Sequence, residues 1–107
     1  MSKPLKIQII ELARTLIVDE QHWCTHHLAL DKNGIVVNPT SSLAVKRCAL
    51  GAVLAAAYQL THDFDIAFKL GHEVIAPIGN PATLMHVNDT TGHSAVLALF
   101  DRVIAAS

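Results

Sequence analysis

Seven histidines and two cysteines are the richest store of reactive side chains in this 107-residue chain. Four of them crowd into His22-Trp23-Cys24-Thr25-His26-His27. His22 and His26 are four residues apart and would share a face if the stretch were helical. Cys24, His26 and His27 bring thiolate and imidazole donors together, which is the chemistry of a zinc site. Structural zinc takes four ligands, usually as two spaced pairs. No second pair is visible, because His62, His72, His86 and His93 are scattered. Solvated surface histidines are the simpler reading, and no metal or cofactor is expected.

A second set is Cys48 with His93 and either Asn88 or Asp89. A thiol beside an imidazole is the nucleophile–base pair of a thiol hydrolase, a set recognised by geometry and not by chain order. The flanking Ala49, Leu50 and Ala52 predict burial for Cys48. Its expected place, about six residues beyond a helix cap at Ser41 or Ser42, lies past the reach of the helix dipole. A structural thiol is therefore expected.

The third set is Trp23, Asn88, Asp89 and His93: one aromatic wall, one amide, one carboxylate and one group that titrates near neutrality. If the chain binds a small ligand, these four residues are where it is expected. The plainer reading of Asn88-Asp89 is turn and cap chemistry ahead of a helix.

The elements that must position these groups are mostly helical. Leu43–Leu60 holds an uncharged run from Cys48 to Tyr58, rich in alanine and leucine, and predicts a helix buried on every side. The uncharged part is too short to span a bilayer. Leu5–Val18 shows an apolar stripe of Leu5, Ile9, Leu12, Ala13, Leu16 and Ile17. Asp63 is placed to cap a third helix from Phe64 to about Ile75, which Pro77 would stop. Asn80-Pro81 would start a short extra turn to Met85 or His86. The last helix is expected over Gly92–Ala105, capped by Thr90 or Thr91. Between the first two helices, Leu28-Ala29-Leu30 and Ile35-Val36-Val37 flank Asp31-Lys32-Asn33-Gly34, a hairpin signal. The expectation is one domain over residues 1–107: a small orthogonal four-helix bundle with one inserted β-hairpin.

In order along the chain come Trp23, a hairpin at Gly34, Arg47-Cys48-Ala49-Leu50-Gly51-Ala52, Asn88-Asp89, and His93-x-x-Val96-Leu97-x-Leu99-Phe100-Asp101-Arg102-x-Ile104. Over about residues 8 to 106 this pattern resembles a family of small bacterial and phage proteins catalogued only as a domain of unknown function. The resemblance implies a small, mostly helical fold and supplies no activity.

Net charge is −1 and no lysine or arginine run exists, which argues against nucleic acid as a partner. The first ten residues carry no sustained apolar run, so no signal peptide is read there. With two cysteines outside any C-x-x-C pattern, the cytoplasm is the expected setting. Hydrophobic residues make up 51% of a short chain, more than one small core hides easily. A non-enzymatic binding or regulatory module follows as the expected function. It would form a homodimer or dock on a protein partner.

Overall fold

The computed structural model describes residues 3–106; Met1, Ser2 and Ser107, the ends of the expected domain, lie outside them. In chain order the elements are α1 (Leu5–Ile17), a short 3-10 turn (Glu20–His22), β1 (Ala29–Leu30), β2 (Lys46–Arg47), α2 (Ala49–Thr61), α3 (Phe64–Ile75), α4 (Pro81–Thr90) and α5 (His93–Ala105). The expected helical class holds, with five helices among the described residues and not four.

The apolar run does become the buried centre. In α2, Ala49, Gly51, Ala52, Val53, Ala55, Ala56 and Ala57 are all buried. α1 and α3 pack against it, and α5 closes on α1. Ile9, Ile10, Ala13 and Ile17 of α1 and Val96 and Phe100 of α5 complete the core. None of the helices over the described residues is long and apolar enough to cross a membrane.

The start of α2 differs from expectation. Residues 43–48 are not helical, because their backbone is committed to a small sheet. Val45 N–H donates to Leu30, Cys48 N–H donates to Leu28, and the Arg47 carbonyl accepts from Cys24. β2 pairs antiparallel with β1, Ala29 opposite Arg47 and Leu30 opposite Lys46. Ser41 turns inward on its own loop, its hydroxyl accepting from Leu43 N–H, and does not cap α2. The cap is Cys48, whose Sγ accepts from Gly51 N–H at 3.3 Å. The Asp31–Gly34 turn forms, with Gly34 at φ 79°. Of its expected second strand only a single bridge remains, Val36 to Leu30.

α4 also exceeds expectation. Asn80 caps it, accepting from Thr83 N–H, with Pro81 in the first turn. It then runs ten residues instead of one turn. Asn88 and Asp89 therefore sit on a helix and not in a loop. Neither Thr90 nor Thr91 caps α5: the Thr90 hydroxyl donates back to the His86 carbonyl, and Gly92, at φ 111°, makes the turn.

Candidate functional site

Asn88 is fully buried and is the one polar residue in the buried interior of the described chain. Its Oδ1 accepts from the Trp23 indole Nε1–H at 2.7 Å and from Ala49 N–H at 2.9 Å. Its Nδ2 donates to the Cys24 carbonyl at 3.1 Å and to Asp89 Oδ1 at 2.9 Å. A carboxamide has two donors and two good acceptor directions, so every bonding position is used inside the chain.

The placement has a backbone logic. Trp23 and Arg47 form a parallel bridge, and Cys24 N–H donates to the Arg47 carbonyl. The next bond of a parallel ladder would run from Ala49 N–H to the Cys24 carbonyl. Ala49 has left the sheet to begin α2, so that bond is missing. The Asn88 carboxamide spans the gap with one acceptor and one donor. It satisfies the first free N–H of the helix and the Cys24 carbonyl together.

Asp89 extends the clasp. Its Oδ1 accepts from His26 N–H at 2.9 Å, and Oδ2 lies 3.6 Å from His26 Nδ1. His26 holds a left-handed backbone, φ 67°, unusual for a residue with a Cβ. Burial raises the Asp89 pKa. The His26 backbone N–H, the Asn88 amide and the nearby His26 and His27 rings outweigh that, and the net shift is downward.

His93 stands beside this network. Its ring lies 5.3 Å from the Trp23 ring at a 55° tilt. Nε2 is 2.6 Å from the Ile17 carbonyl, so Nε2 carries the proton; Nδ1 lies 3.9 Å from Glu20 Oε1. The structure thus gathers Trp23, Asn88, Asp89 and His93, with Asn88 joining Trp23 to Asp89. His93 makes no bond to Asp89.

The other two sets do not assemble. Cys48 Sγ reaches Gly51 N–H and Met85 Sδ, the latter at 3.7 Å, and makes no hydrogen bond to His93. Burial pushes the Cys48 thiol up. Burial, then the neighbouring Cys48, pushes Cys24 up to about 11. Both thiols are therefore protonated and poor nucleophiles near neutrality. Cys24 Sγ–H donates to the His27 carbonyl, and His26 and His27 face solvent. Among the described residues no three His, Cys, Asp or Glu side chains are grouped to hold a metal ion.

Sequence reasoning missed an apolar groove of about 240 Å³. Phe64, Ala67 and Phe68 of α3 form one wall, Leu54 of α2 the floor, and Pro39 and Thr40 the other wall. Phe64 and Phe68 are 51% and 54% exposed, high for aromatic side chains. The signal was present: both fall on the flank of α3 next to the stripe Ala67, Gly71 and Val74. The clasp positions the far wall. Arg47, bridged to Trp23, donates from Nε to the Pro39 carbonyl at 2.9 Å, and Asn38 Oδ1 accepts from Thr40 N–H. A second, larger cavity of about 510 Å³ lies between α1, α3 and α5, beside the Lys6–Glu73 ion pair. Neither cavity is lined by Trp23, Asn88, Asp89 or His93.

Over the described residues, these features define five helices with a two-stranded clip, an amide clasp at the polar centre and an open apolar groove beside it. The chain belongs to a family of unknown function (DUF6197), whose model matches residues 1–106. No curated protein and no solved structure matches it.

Proposed function

We propose that the chain is a non-enzymatic docking module of the cytoplasm, with the groove between α3, α2 and the 38–40 turn as its contact surface. The observation that carries this reading is the pair Phe64 and Phe68, each half exposed on one helix flank beside an apolar groove. Isolated apolar residues on a surface need no explanation; two aromatics framing an apolar cleft mark a contact site. The groove is smaller than the roughly 300–1,000 Å³ of small-molecule sites, so it suits one or two side chains of a protein partner.

The clasp around Asn88 serves that surface by positioning. It fixes Trp23, the start of α2 and, through Arg47, the turn that carries Pro39. With all four bonding positions of Asn88 taken, the amide has none left for a ligand. The two thiols, protonated near neutrality, support a non-enzymatic reading.

The test is photocrosslinking in cells. Phe68→p-benzoylphenylalanine should give a discrete protein adduct on irradiation. The same residue placed at Ile66, also half exposed but on the opposite flank of α3, should not. No adduct at position 68, or equal adducts at both positions, would sink the docking reading.

A further inference from the structure

We propose that the groove face is covered by a second copy of this chain, with α3 of each copy lying antiparallel across a two-fold axis. The inference rests on the docking reading and names its partner.

The argument is self-complementarity along one helix. At about 100° per residue, Phe64 and Phe68 lie about 40° apart on α3, and Asp65 and Lys69 fall on the adjoining strip toward solvent. Asp65 and Lys69 are exposed, and neither forms an ion pair or a side-chain hydrogen bond among the described residues. They are an acid and a base four residues apart, beside an apolar pair also four residues apart. An antiparallel two-fold at the level of Ala67 sets Asp65 of each copy opposite Lys69 of the other. The same operation brings Phe68 of one copy within about 3 Å, along the helix axis, of Phe64 of the other. One operator therefore matches both the apolar pair and the charged pair, as an isologous interface requires.

Overall charge fits as well. At a net charge of −1 two copies barely repel, and near-neutral proteins associate readily. A standard interface takes about 800 Å² per partner. That is about one-seventh of the 5904 Å² surface. The aromatic centre with a charged rim is the usual anatomy of such a contact.

Sedimentation equilibrium of the full chain, from roughly 1 to 200 µM, decides the matter. The mass should rise from 11.5 kDa toward twice that value with a dissociation constant in the micromolar range. Phe68→Ser should raise the constant at least about tenfold, as for loss of an interface anchor. Asp65→Lys and Lys69→Asp should each raise it severalfold by setting like charges together twice, and the double variant Asp65→Lys/Lys69→Asp should return close to the wild type. The charge variants lie on the exposed strip, so they decide the question even if Phe68→Ser folds poorly. A mass of 11.5 kDa throughout, a dimer indifferent to Phe68→Ser, or a double variant no better than the singles would each overturn the proposal. A monomer that still yields a position-68 adduct with a different protein overturns the second copy alone; a chain with neither dimer nor adduct overturns the docking reading too.

Discussion

Replacing Asn88 by alanine should be among the most damaging single changes in the chain. Four hydrogen bonds disappear, each with a net value of about 1 kcal/mol. The larger effect is on what remains. Ala49 N–H and the Cys24 carbonyl are left in the interior without partners, and the Trp23 indole N–H is half buried without one. Each stranded group costs about 1–3 kcal/mol. Some will find water, so a total loss of about 3–5 kcal/mol is expected, a large part of the roughly 5–15 kcal/mol that holds such a domain. Asn88→Leu nearly conserves volume and strands the same groups, so it should lose almost as much; a cavity effect alone would spare it. Trp23 is the sole tryptophan and one of the clasped groups, so urea unfolding followed by its fluorescence and by circular dichroism reads clasp and helices together. A loss below about 1 kcal/mol in Asn88→Ala would refute the clasp.

Gly51→Ala gains about 1 kcal/mol of helix propensity. A Cβ at this position would sit 2.0 Å from the Leu28 carbonyl oxygen, so thermal melting should show a net loss of about 2–4 kcal/mol. His62, which ends α2 at φ 56°, should favour the opposite change: His62→Gly relieves left-handed strain and should stabilise by about 0.5–1 kcal/mol in the same assay. Asp89 predicts a pH dependence. Its folded pKa lies below the ordinary 3.8, so its contribution is complete above about pH 4 and is lost as pH falls through the lower folded value. Melting curves of Asp89→Asn should therefore approach those of the wild type below that range and differ most near neutrality.

Much of the fold was legible because it follows from composition and local rules. The alanine-rich run had to be buried, Asp63 and Asn80-Pro81 had to start helices, and Gly34 had to turn. What escaped depends on groups distant in sequence. Lys46 and Arg47 read as the start of a helix, since nothing local shows that Leu28, Leu30 and Cys24 will claim the backbone of residues 45–48. A cysteine is a rare cap, so nothing in its type marks Cys48 as one. Asn88-Asp89 looked like a loop because both side chains compete with helix formation. In α4 their side chains leave the helix backbone alone and bond to Trp23, Cys24 and His26 instead. Trp23, Asn88, Asp89 and His93 group by chemical type in the sequence; in the fold they are linked as neighbours and line neither cavity. The amide's role as a substitute for a missing ladder bond had no sequence signature. Phe64 and Phe68 fit the α3 pattern as ordinary members, since the 38–40 turn that shares their groove is distant in sequence.

The most direct test of the α3 contact face is fluorine NMR of protein labelled with 4-fluorophenylalanine. The chain has three phenylalanines, two on the groove face and one, Phe100, fully buried between helices. Dilution should shift the Phe64 and Phe68 signals together, with the Phe100 signal unmoved. Signals from positions 64 and 68 that stay fixed across the whole range, or a Phe100 signal that moves as far as they do, would contradict the account.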